Sequence, residues 1–128
     1  VLPSRFRIAV VDDDERMCQA LSRLLQVAGY AAEPHLSAEA FLSEPNHGGV
    51  QFLVADIQLR GMSGFELHER LRLEGLDIPT AFITAHDEAR AREQAAAVGG
   101  VAYFRKPFPG SELIEVIQTT LGQHATGP

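Results

Sequence analysis

Four short stretches of the chain are apolar without a polar alternation: residues 6–11, 52–55, 80–83 and 101–104. Runs of that length suit strands covered on both faces of a parallel sheet. Between them the apolar positions return every three or four residues, at Met17, Leu21, Leu24, Leu25 and Ala28, and more loosely at Phe65, Leu67, Leu71 and Leu73. That spacing predicts helices with one buried face. Ser63-Gly64-Phe65-Glu66 reads as a helix start, the serine capping a backbone N–H while Glu66 reaches back, and Gly75 as the stop. Further helices are predicted over 88–98, ended by Gly99-Gly100, and over 111–121, introduced by Pro107-Phe108-Pro109. A second strand at 30–35 and a helix at 37–43 complete five strand–helix units.

Five such alternations imply an α/β doubly wound parallel sheet with helices on both faces and right-handed crossovers. The strand order is taken from known folds of this class, not deduced from the residues. In the flavodoxin-like order 2-1-3-4-5, strands 1 and 3 are neighbours at the topological switch point, and ligands bind beyond their carboxyl ends. With 128 residues there is room for one core, assigned to 5–122. Residues 1–4 and 123–128 are tails, the second polar enough to begin a linker to an output domain.

Composition narrows the function classes. A hydrophobic fraction of 45% and a charged fraction of 22% are those of an ordinary soluble globular protein. A net charge of −6 argues against gripping nucleic acid or an anionic membrane by charge alone. Cys18 is the one cysteine, so no internal disulfide can form, and it reads as a small buried hydrophobe. No apolar run approaches the roughly 20 residues of a membrane span, and no signal-peptide pattern opens the chain, so a cytoplasmic location is expected. The five histidines lack metal-binding spacing.

The chemistry gathers at the predicted strand ends. Asp12-Asp13-Asp14 follows the first strand and Asp56 follows the run at 52–55, so both sets of carboxylates fall where this architecture puts its ligand. Crowded carboxylates repel one another and raise their own pKa values unless a cation neutralises them. Mg²⁺ suits such a site, using one or two carboxylates, waters and phosphate oxygens. Asp56 is then a candidate carboxylate nucleophile for a phosphoryl group. Thr84 ends the fourth strand with a hydroxyl that can donate to a phosphoryl oxygen, and Lys106 follows the fifth with a mobile ammonium. Taken singly, each has an ordinary alternative: a solvated loop or helix N-terminus for the acidic run, a turn for Asp56, a strand-end cap for Thr84, a solvated lysine for Lys106. Their combination in that order carries the argument.

Over about residues 5–121 the chain resembles the response-regulator receivers of bacterial two-component systems. The likeness lies in Val10-Val11-Asp12-Asp13-Asp14, the segment from Asp56 to Gly64, Ile83-Thr84-Ala85 and Lys106-Pro107-Phe108. It implies that Asp56 is the phospho-acceptor, with Mg²⁺ held by Asp12, Asp13, Asp56 and the backbone carbonyl of Gln58. It also implies that Lys106 binds phosphate, that Thr84 and Tyr103 are the switch pair, and that Lys106-Pro107 is a cis peptide. Tyr103 can equally be read as a core aromatic. Asp14 matches a variable position and stays outside the site. The implied activity is Mg²⁺-dependent self-phosphorylation from a sensor histidine kinase, with slow self-dephosphorylation in place of conventional turnover. The implied output is a changed surface at helix 4, strand 5 and helix 5, with dimerisation on phosphorylation. Wording around Met62-Ser63-Gly64 and Thr84-Ala85-His86-Asp87 is similar to receivers that precede a LuxR-type helix-turn-helix domain, so a transcriptional output follows, with no direct nucleic-acid contact by this domain.

Relatives commonly carry proline at the position of Arg60 and often alanine at Gly100. Arg60 removes a φ restraint and adds a cation, leaving a more mobile loop, a contact with the phosphoryl group or a partner, or plain solvation as readings. His86 lies near the proposed pocket and is read as a solvated loop residue. Three rival functions fit parts of the pattern. A Mg²⁺-dependent aspartyl-phosphate phosphatase needs a second acid two residues past its nucleophile, where Gln58 stands. The others are a single-domain phosphorelay protein and an interaction module that no longer takes phosphate.

Overall fold

The computed structural model describes residues 6–86 and 89–122. Strand and helix alternate five times: β1 (Arg7–Val11), α1 (Glu15–Val27), β2 (Ala31–His35), α2 (Ala38–Leu42), β3 (Phe52–Asp56), α3 (Gly64–Leu73), β4 (Thr80–Thr84), α4 (Ala89–Ala97), β5 (Ala102–Arg105) and α5 (Gly110–Thr120). The strands form one parallel sheet in the order β2-β1-β3-β4-β5. The expected fold class and strand order are both present.

Each strand sends alternate residues to opposite faces. Ile8, Val10, Phe52, Val54, Ala81 and Ile83 pack with Cys18, Leu21 and Leu25 of α1 and with Leu113 and Ile117 of α5. On the other face Ala9, Val11, Leu53, Ala55 and Phe82 pack with α2, α3 and α4 through Phe41, Leu67, Leu71 and Ala95. A fully buried Leu or Phe contributes roughly 1.5–3 kcal/mol, against about 0–1 for an exposed ion pair, so these two layers hold the fold. β3 and β4 are buried throughout, as their unbroken apolar runs predict. β5 is not: its residues are half-buried or exposed, because it lies at a sheet edge. Edge position also admits Pro34 in β2, since its missing N–H faces away from β1.

Ends and stops follow local chemistry. Asp14 caps α1 by accepting from the amides of Arg16 and Met17, which explains the third acid of the run. Ser63 and Glu66 form the expected capping box, and Gly75, at φ 80°, turns the chain after α3. Gly100 has a packing reason: a Cβ there would lie 2.8 Å from two ring atoms of Phe82. The Phe82 ring fills the space that an alanine would need.

His47 joins the turn before β3 to the end of α3. Its Nδ1 lies 2.9 Å from the carbonyl of Glu44 and its Nε2 2.9 Å from a carboxylate oxygen of Glu74. Both partners only accept, so the imidazolium satisfies both, and the Glu74 contact, then the Glu44 carbonyl, raise its pKa above 6.5. A raised histidine contributes stability fully present below the unfolded pKa and lost as pH rises through the folded one. The unfolding free-energy difference between the parent and His47→Gln is therefore expected to be largest below about pH 6.5 and to shrink above it. Denaturant titrations across that window check this.

Candidate functional site

In-register pairing brings the carboxyl ends of the central strands together. Val11 is level with Ala55, Asp56 with Ile83, and Thr84 with Arg105. Main-chain hydrogen bonds extend the register past the strands, from the Asp12 amide to His35 O at 3.1 Å, Ile57 to Ile83 O at 2.9 Å and Lys106 to Thr84 O at 2.8 Å. Asp56 is thus the last residue of β3, one residue later than its apolar run predicts, and Thr84 ends β4 as expected.

The ammonium of Lys106 bridges two buried carboxylates. Its Nζ lies 2.8 Å from Asp12 Oδ2 and 2.7 Å from Asp56 Oδ2. Asp12 has no exposed surface and Asp56 is 5% exposed. Backbone amides steer the remaining oxygens, with Asp14 N–H donating to Asp12 Oδ1 and Gln58 N–H to Asp56 Oδ1, both at 2.9 Å. Burial lifts Asp12 above the usual carboxylate range, although Lys106 and the Asp14 amide pull the other way. Burial works against the Lys106 charge, but its bonds to Asp12 and Asp56 outweigh it and hold the ammonium firmly protonated.

Carboxylate oxygens of Asp12, Asp13 and Asp56 lie within 4.8 Å of one another, the one such cluster among the described residues. Three carboxylates face the single Lys106 ammonium, and two of them, Asp12 and Asp56, are buried where water solvates them poorly. An all-oxygen set with that imbalance fits a hard divalent cation, and its few protein ligands fit Mg²⁺ better than Ca²⁺.

Thr84 is 1% exposed, and its Oγ1 donates to the His86 carbonyl at 3.1 Å and accepts from the His86 amide at 3.1 Å. The hydroxyl is therefore tied to the loop after β4. Tyr103 is half-buried against the α2–α4 side of the sheet, and the Arg92 guanidinium lies 4.6 Å from its ring centroid. Lys106-Pro107 is cis. Arg60 is exposed, and its backbone N–H donates to Asp13 Oδ2 at 3.2 Å, a bond that a proline could not make. His86 is exposed, as expected; Asp87 lies outside the described residues.

Two contributors escaped the sequence. Gly64 presses against the acceptor's own backbone, its Cβ position meeting the carbonyl of Asp56 and Ile57 Cα. Glu39 of α2 accepts the Met62 amide at 3.0 Å. The capping pattern around Ser63 accounts for Gly64 as a helix start without its close approach, and nothing in the sequence around Glu39 points across the fold.

Residues 8–118 match the family model described as response regulator receiver domain. The response regulator protein TodT of Pseudomonas putida is 33% identical over 114 residues, covering 89% of this chain and 50% of TodT. The transcriptional regulatory protein FixJ of Rhizobium meliloti is 34% identical over 113 residues, 88% of this chain and 55% of FixJ. A crystal structure of a response regulator receiver protein from Burkholderia phymatum is 38% identical with a TM-score of 0.82, covering 94% of this chain and 98% of that one. The chain spans about half the length of the curated relatives it matches. The expected likeness to receivers of transcriptional regulators is borne out. Among the described residues no helix is long and apolar enough to cross a membrane.

Proposed function

The chain belongs to the response-regulator receiver family, and from that premise we propose that Asp56 takes a phosphoryl group from a sensor histidine kinase. The observation that carries this is the Lys106 ammonium bridging Asp12 and Asp56 at the buried carboxyl end of the sheet. The Oδ1 of Asp56 is held by the Gln58 amide and its Oδ2 by Lys106, so the carboxylate is oriented for attack on phosphorus. The phosphorus–nitrogen bond of the donor phosphohistidine breaks as the new bond to Asp56 forms, and the imidazole leaves with the electron pair. Lys106 remains against the transferred group and balances its equatorial oxygens. Asp12, Asp13, Asp56 and the Gln58 carbonyl would hold a Mg²⁺ ion, which when bound would supply the further charge neutralisation that phosphoryl transfer requires.

The phosphoryl group also offers new acceptor oxygens. Thr84 can donate to one of them only by giving up the His86 carbonyl, which releases the loop after β4 and changes the packing around Tyr103. The signal is then an altered surface over α4, β5 and α5, read by a second copy of the domain or by an output domain. Residues 5–122 act as the receiver unit, in the cytoplasm and without nucleic-acid contact of its own. A transcriptional output domain after residue 128 accords with the greater length of TodT and FixJ.

Acetyl phosphate with Mg²⁺ is expected to add one phosphoryl group to the parent and none to Asp56→Asn, read as intact mass. An unmodified parent, or an equal adduct on the variant, overturns the assignment and favours the phosphorylation-independent reading.

A further inference from the structure

The segment between β3 and α3 is held at two successive non-glycine amides by carboxylates from other parts of the fold. Asp13, from the turn after β1, accepts the Arg60 N–H at 3.2 Å. Glu39, from the first turn of α2, accepts the Met62 N–H at 3.0 Å. Gly61 lies between them at φ 76°, and a Cβ there would come within 2.6 Å of Glu39 Oε2, so the carboxylate sits directly against the turn. This segment begins with Ile57 and Gln58, which follow the acceptor, and runs to the start of α3. A proline at position 60 would restrain the loop through its ring; arginine does not, and supplies an N–H instead.

We propose that Glu39 is a positioning residue for phosphoryl transfer, acting with Asp13 as a two-carboxylate clamp that orders the loop after Asp56 in place of a proline. The proposal rests on the reading of Asp56 as the acceptor. Glu39 acts through the Met62 amide, which fixes the turn that follows Gln58. Its carboxylate is exposed and hydrogen-bonded, so its removal leaves no cavity and no buried orphan. Function and stability therefore separate at this residue.

Three proteins test it: the parent, Glu39→Ala, and Glu39→Gln, whose side-chain oxygen can still accept an N–H. In the metal-free proteins, hydrogen exchange at the Met62 amide is expected to be at least about tenfold faster in Glu39→Ala than in the parent, with Glu39→Gln restoring protection and all three melting alike. Phosphorylation by acetyl phosphate at a fixed, subsaturating Mg²⁺ concentration is expected to fall about tenfold in Glu39→Ala and to stay near the parent rate in Glu39→Gln. Parent-like exchange and rate in Glu39→Ala, or a Glu39→Gln as impaired as the alanine, overturns the clamp. A parent that takes no phosphate overturns the reading of Asp56 instead, and the exchange arm still decides whether the clamp exists.

Discussion

Lys106→Met is expected to destabilise the metal-free protein by about 3 kcal/mol at pH 7, because it leaves two facing carboxylates buried without their cation. Methionine keeps most of the side-chain volume, so the loss reports on charge rather than on packing. In the parent, Lys106 lies 2.8 Å from Asp12 and 2.7 Å from Asp56, and neither acid can turn out to water without disturbing the strand ends. Without the lysine the two charges repel, and the pKa of Asp12, already raised by burial, rises further. The sign of the pH dependence follows. A carboxyl whose folded pKa is raised binds a proton more readily in the folded state, so it favours folding below its unfolded pKa and loses that contribution as pH rises through the folded one. The deficit of Lys106→Met relative to the parent should therefore be largest near neutrality and shrink on acidification toward pH 4–5, roughly the ordinary carboxylate range. Millimolar Mg²⁺ at pH 7 should shrink it as well, by supplying the missing positive charge. Urea unfolding at pH 7 and pH 5, with and without the ion, measures both. A deficit independent of pH would mean that Lys106 contributes through packing and not by balancing the two acids.

A single methyl group at Gly64 is expected to lower the rate of Asp56 phosphorylation by about a hundredfold, the cost of a misplacement on the order of 1 Å at a reacting group. Gly64 does not need glycine for its dihedral angles, since its φ is not positive. What it needs is space: a Cβ would drive into the carbonyl of Asp56 and the Cα of Ile57. Both obstacles are main chain and cannot swing aside as a side-chain tip would. The Gly64 amide also donates to Ile57 O at 3.1 Å, which ties the start of α3 to the residue after the acceptor. In Gly64→Ala either α3 backs away and that bond lengthens, or the backbone carrying Asp56 shifts. Overpacking of this kind also costs roughly 1–3 kcal/mol, so melting and acetyl-phosphate kinetics should be recorded on the same preparation at a temperature where the variant is folded. A folded variant that phosphorylates at the parent rate would show that the approach of α3 to Asp56 is dispensable.

Lys106 and Gly64 differ in how plainly the sequence marks them. Lys106 and Asp56 stand out because both follow strand-length apolar runs, and parallel strands put their carboxyl ends on one edge, although β5 is only half-buried there. The unbroken runs in β3 and β4, the three- and four-residue spacing in α1 and the Ser63–Glu66 capping pattern each record a local preference, so sequence alone determined those elements and which strand ends carry the chemistry. The strand order was not among these: it came by analogy and is established by the pairing of β1 with both β2 and β3. Placement at strand ends singled out the acidic residues and resemblance gave them roles, but neither could say that Asp14 caps α1 while Asp12 meets Lys106 at a sequence separation of 94 residues. Nor could either say that Arg60 offers its amide to Asp13, that Glu39 of α2 reaches Met62, that Gly64 lies on the backbone of Asp56, or that the Phe82 ring fills the space at Gly100. The physical reason is common to all of these. Periodicity and capping are decided within a few neighbouring residues, whereas contacts across the fold depend on how far helices stand from the sheet and which side chains fill the gaps, and only the packed chain determines that.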